Sequence, residues 1–86
     1  MKDIEELPED YSERLHKTIG ANVKRVRQDK GITQLKLSEA IGYKSVSPIS
    51  SAEIYYNKIH FNVEQLSKIA YVLDVDVCEF FKLNHD

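Results

Sequence analysis

The punctuation of "GITQLKLSEAIGYKSVSPISSAE", residues 31–53, leaves few folds open to this chain. Gly31 stops the helix before it, because glycine enters the left-handed conformation that ends a helix without steric cost. Thr33 is placed to cap a second helix over about Gln34 to Ile41, its hydroxyl oxygen accepting a first-turn amide hydrogen. Gly42 terminates that helix. Ser45 or Ser47 is expected to cap a third, and Pro48 falls in its first turn, where the missing N–H has no partner to lose. Proline thus fixes where the third helix begins. Leu37, Ala40 and Ile41 give the second helix an inward face, and Ile49 and Ala52 do so for the third.

The remainder also reads as helical. From about Ser12 or Thr18 to Lys30, Leu15, Ile19, Val23 and Val26 form one apolar stripe. The basic residues Lys24, Arg25, Arg27 and Lys30 lie on the rest of that helix, either as a plain solvated face or as part of a polyanion-facing one. "IYYNKIHF" (54–61) is a loop with room for one more helical turn. Asn62 caps a fourth helix whose stripe is Val63, Leu66, Ile69, Ala70 and Leu73. A fifth, about Asp76 to Leu83, starts at the cap residue Asp76 and presents Val77, Phe80 and Phe81. Five short helices with tight connections and no strand predict an all-α bundle.

Charge is unevenly spread. The formal net charge is −2, but residues 1–15 hold two cations and six carboxylates, residues 16–60 eight and three, and residues 61–86 two and five. A basic middle lies between acidic ends, and polyanion binding depends on that local field rather than on the sum. Eighty-six residues make one domain. No apolar run approaches the ~20 residues of a membrane span. The start is too acidic for a signal peptide, so a reducing cytoplasm is the expected setting. The single cysteine, Cys78, excludes an internal disulfide and is expected in the core or an interface. His16, His60 and His85 are scattered, without metal-ligand spacing. No glycine-rich phosphate loop or serine-nucleophile signature appears. Neither an enzyme nor a cofactor is expected.

The runs "IGANVKRVRQDKGITQLKLSEAIG", "SPISSAE" and "VEQLSKIAYVLDVDVCEFF" together resemble the Cro/cI-type, or XRE, helix-turn-helix family over about Thr18 to Phe81. The resemblance implies a five-helix, lambda-repressor-like DNA-binding domain over residues 18–83. Residues 1–17 then form an acidic arm or helix extension, and 84–86 a tail. Three departures stand out. One extra residue separates Gly42 from Glu53, the loop after Glu53 has Ile54 and Tyr55 where short members have glycine, and the acidic arm has no counterpart in the minimal domain.

Carried over residue by residue, the family's roles put Lys44, Val46, Ser47, Ser50 and Ser51 at base edges in the major groove. Gln34 would bind a phosphate and buttress the third helix. Lys36, Tyr56, Asn57, Lys58, His60 and Asn62 are the other phosphate candidates. Packing is the alternative role for the tyrosines, and a plain loop position the alternative for His60. Glu53 resembles the family glutamate at the end of the third helix, and Ala40 the small residue where the second and third helices cross. Serine and valine discriminate less than a bidentate Arg–guanine or Asn–adenine pair, so direct readout is expected to be sparse and DNA shape to share the work.

Double-stranded DNA is the expected partner, bound by a homodimer joined through Tyr71, Val75, Val77, Phe80 and Phe81. A compact repressor or controller in a prokaryotic, phage or plasmid context is the first functional expectation. The alternative is an antitoxin-like interaction module, whose acidic N-terminal arm meets a basic protein while the helix-turn-helix supplies autoregulation. A third is a degenerate domain that has kept the fold and lost DNA binding.

Overall fold

The computed structural model describes residues 1–83, so the expected 84–86 tail, with His85, lies outside the described residues. Four α-helices carry the fold: α1 (Tyr11–Asp29), α2 (Gln34–Ala40), α3 (Ser47–Glu53) and α4 (Val63–Leu73). Short 3-10 segments occur at Ile4–Glu6, Tyr56–Lys58 and Val77–Phe81, and no strand occurs among the described residues. The fifth predicted helix is the last of these 3-10 segments. At five residues it is longer than most 3-10 segments, whose hydrogen-bond geometry rarely sustains more than three or four.

Residues 11–17 are continuous with α1, and ion pairs one turn apart line its exposed side: Asp10–Arg14 and Glu13–Lys17 at 3.4 Å, Arg25–Asp29 at 3.9 Å. Ile19, Val23 and Val26 are buried as the stripe requires. Leu15 is exposed, correcting the expectation, because α1 begins well before the body it packs on. Val63, in the first turn of α4, is exposed as well, and Phe61 just before that helix fills the core instead. Arg27 is buried too, so it belongs neither to a solvated face nor to a polyanion-facing one.

The caps of α2 and α4 follow the sequence reading. Thr33 accepts from the Lys36 amide at 3.1 Å. Asn62 and Gln65 close a reciprocal capping box at 2.7 and 2.9 Å. Gly31 and Gly42 take φ of +70° and +96°, the left-handed stops their positions require. The start of α3 differs from expectation. Val46 occupies its cap position, with no side-chain capping bond. Ser47 is already helical, and the Ser45 carbonyl instead accepts the Ser38 hydroxyl. That bond explains a second correction: Ser38, not Ala40, is the small buried residue where α2 meets the turn, and Ala40 is exposed.

Leu37, Ile49, Ile69, Val23 and Phe80 form the fully buried centre, with Phe61, Leu66 and Leu73 closing around them. Phe80 is 0 % exposed, so it belongs to this core and is removed from the expected dimer surface. Cys78 is exposed rather than in the core. The hydrogen bond and negative charge of Asp76 beside it push its thiol pKa up, which makes it a poor nucleophile. Asp76 caps the last segment through the Cys78 amide at 2.8 Å. Buried Asn22 of α1 donates from Nδ2 to the carbonyls of Phe80 at 3.0 Å and Lys82 at 2.7 Å, tying that segment across α1.

Candidate nucleic-acid interface

α3 is held from below by a buried charge cluster. Arg27 and Glu53 are only 6 % and 3 % exposed. Arg27 donates from Nε and Nη2 to the two Glu53 oxygens at 2.8 and 3.1 Å, and from Nη1 to the Ile32 carbonyl at 2.8 Å. Gln34 Nε2 donates to Glu53 Oε1 at 2.8 Å. The carboxylate thus fastens α1, α2 and α3 together. A two-pronged guanidinium–carboxylate contact fixes angle as well as distance. The expected buttress at Gln34 is present in this form. Sequence reasoning missed the Arg27 partner: four basic residues precede Gly31, and spacing alone does not select the one that turns inward.

Gly20 brings α1 against the same end of α3. A methyl group there would stand 2.5 Å from the Ala52 carbonyl oxygen and 2.6 Å from that of Glu53. No side chain fits in this gap.

With Ile49, Ala52 and Glu53 directed inward, the outward side of α3 is short and hydroxylic. Ser47 is exposed, while Val46, Ser50 and Ser51 are half-buried. Lys44 is exposed in the turn before them, and Lys36 is exposed in the first turn of α2. No carboxylate of α3 faces solvent, because its one acidic residue is Glu53. Tyr56, Asn57, Lys58, His60 and Asn62 are all exposed on the segment between α3 and α4. Tyr55, Asn57 and Lys58 hold φ of 57°, 50° and 64°. Tyr55 therefore adopts the left-handed conformation for which glycine is the usual residue. Part of the expected phosphate set already has internal work. Asn62 Oδ1 serves the α4 cap, and His60 Nδ1 donates to the Lys58 carbonyl at 2.9 Å. Tyr43, in the α2–α3 turn, accepts from Gln65 Nε2 at 2.8 Å and braces that turn on α4.

His60 also stacks on His16 of α1, ring centres 3.8 Å apart, and Tyr55 flanks His16 at 5.8 Å. His16 Nδ1 is buried without a hydrogen-bond partner among the described residues. Burial, and after it the His60 ring, lowers the His16 pKa below the ordinary histidine value. The unfolded chain therefore takes up this proton more readily than the folded one. The resulting contribution to stability is fully present above the ordinary histidine pKa of 6.5 and is lost as pH falls below it toward the lowered folded value. The urea midpoint is expected to drop between neutral pH and about pH 5, and to drop less in His16→Phe. Equal drops in the two proteins would exclude His16 as a source.

Among the described residues no cluster of three or more His, Cys, Asp or Glu is placed to hold a metal, and no helix is long and apolar enough to cross a membrane. The geometry of α2, the Gly42 turn and α3 defines a helix-turn-helix protein. No family model matches the sequence, and no curated protein matches it. A solved structure does: the N-terminal DNA-binding domain of SinR from Bacillus subtilis, similar with a TM-score of 0.68 and 31 % identity, over 83 % of this chain and 100 % of that one. The chain belongs to the XRE family of helix-turn-helix proteins.

Proposed function

We propose that this protein is a sequence-specific transcriptional regulator that binds double-stranded DNA as a homodimer on a two-fold operator. The observation that carries the reading is the outward side of α3. It is free of carboxylates, built from short side chains that allow deep entry into a major groove, and accompanied by exposed Lys36, Lys44 and Lys58. The similarity to a DNA-binding domain supports the same reading. Lys44, Val46, Ser47, Ser50 and Ser51 face base edges. Gln34, Lys36, Tyr56, Asn57, Lys58, His60 and Asn62 face phosphates. Gln34 and Asn62 each retain a side-chain N–H beyond those used internally.

Dimerisation uses the far side of α4 and the segment after it. Tyr71 is 78 % exposed, and Val77 and Phe81 are partly exposed beside half-buried Val75. A depression of about 530 Å³ lined by Ile41, Gly42, Lys68, Tyr71 and Val72 adjoins them. Sedimentation is expected to give a dimer mass at micromolar concentration, and Tyr71→Glu a monomer. A monomeric wild-type chain removes this part of the reading.

Selection of duplexes from a random pool, followed by a footprint with the protein alone, tests the DNA-binding reading. The selected sites should contain two related half-sites separated by about one helical turn, 10–10.5 base pairs. Retention of no duplex overturns it. Six to eight neutralised phosphates per dimer give a slope of log K against log salt of about −5 to −7. Ser47→Ala and Ser51→Ala should each cost less than the ~1–3 kcal/mol of a bidentate base contact. Complete loss of binding in either would contradict sparse readout.

A further inference from the structure

A strip of apolar side chains along the N-terminal extension has no partner within the fold. Ile4, Leu7, Tyr11 and Leu15 are spaced by three or four residues, and all four are exposed. Two shallow depressions follow them. One of about 380 Å³ is lined by Ile4, Leu7, Pro8 and Tyr11 with the charged Lys2, Asp3 and Glu6, a lining that stays net acidic. The next, about 360 Å³, is lined by Tyr11, Leu15, Thr18 and Leu83 with Arg14, which is paired to Asp10. Tyr11 borders both, so they form one continuous track. Scattered single apolar residues are normal on a surface, whereas a connected track of this kind marks a contact site.

Charge beside the track selects what fits it. Asp10 and Glu13 are neutralised by Arg14 and Lys17. Glu5, Glu6 and Glu9 are exposed and have no ion-pair partner among the described residues. A second copy docked track to track would bring the same three carboxylates into one interface, and DNA would bring phosphates. Both are repelled.

We propose that this track docks a basic amphipathic segment of another protein, whose apolar side chains enter the two depressions and whose Lys or Arg residues meet Glu5, Glu6 and Glu9. The surface is separate from the α3 face, so the proposal does not depend on how the protein reads DNA. Apolar contact supplies the attraction, and the carboxylates supply discrimination and a faster encounter.

The test uses the full chain and two labelled synthetic helices of about twenty residues with the same leucine face, one flanked by lysines and the other by glutamates. Fluorescence anisotropy should show the lysine-flanked peptide binding at least about tenfold more tightly. The double variant Leu7→Ser/Leu15→Ser should weaken that binding by about tenfold or more, with circular dichroism unchanged and thermal unfolding lowered only slightly, because neither residue belongs to the buried core. Glu5→Gln/Glu6→Gln/Glu9→Gln should weaken it and flatten its salt dependence. The proposal is overturned if neither peptide binds, if both bind equally, or if the double variant binds as well as the wild type. It is also overturned if the track holds a second copy, seen as a dimer that Leu7→Ser/Leu15→Ser dissociates.

Discussion

Glu53→Ala is expected to lose about 3–5 kcal/mol of folding stability, the cost of leaving a buried charge without its partner. The carboxylate is nearly inaccessible, and three of its contacts come from α1 and α2: two from Arg27 and one from Gln34. Removing it strands the Arg27 guanidinium beneath α3, where water cannot replace the lost acceptor. A domain of this size has about 5–15 kcal/mol in all, so one substitution takes away a large share. Urea unfolding measures it directly. Arg27→Ala should be similarly damaging. The double replacement Arg27→Met/Glu53→Leu should recover most of the loss, because two apolar side chains of similar volume need no mutual neutralisation. A Glu53→Ala midpoint equal to that of the wild type would show that the cluster does not hold the helices together. If the double replacement stays folded and binds DNA weakly, the pair serves the aim of α3 more than its stability.

Gly20→Ala should also destabilise, with a sign opposite to the usual one. In an ordinary helix interior, replacing glycine by alanine gains roughly 0.5–1 kcal/mol by restricting the unfolded chain. Here the added carbon would lie 2.5 and 2.6 Å from two backbone oxygens of α3. Backbone cannot swing aside as a flexible side chain would, so α1 and α3 must separate. Overpacking of this kind costs about 1–3 kcal/mol, and more where backbone must shift. Thermal unfolding should show the loss. The footprint should weaken as well, because the C-terminal end of α3 moves relative to α2. A Gly20→Ala protein more stable than the wild type would mean that the two helices do not approach this closely.

The sequence carried those parts of the fold whose chemistry is local. Gly31, Thr33, Gly42, Asn62 and Asp76 each act within a few residues of themselves, and each sits where its side chain or missing side chain implied. Pro48 in the first turn of α3 is of the same kind. What escaped depends on partners distant in the chain. The acceptor that draws Arg27 inward is 26 residues away. Periodicity put Leu15 and Val63 on apolar stripes, but could not show that α1 begins before the body it covers, or that Phe61 rather than Val63 fills the core at the start of α4. Ser38 was passed over in favour of Ala40 because serine reads as a surface residue until the Ser45 carbonyl is seen to satisfy it. Within the candidate site, the place of residues 44–51 between the Gly42 turn and α3 was legible from the glycine and the proline, whereas their assignment to DNA comes from the family resemblance. The internal engagements of Asn62 and His60 were not.

The bonds from Asn22 to the carbonyls of Phe80 and Lys82 bear on how the chain is made. They join positions 58 and 60 residues apart, the interior of α1 and the end of the described chain. While the polypeptide is being synthesised, α1 leaves the ribosome long before its last contacts exist, with a polar side chain in a groove that Phe80 has yet to fill. Nascent chains halted short of residue 80 should therefore remain loosely collapsed and accessible to chaperones and proteases, and close cooperatively only when that aromatic ring arrives.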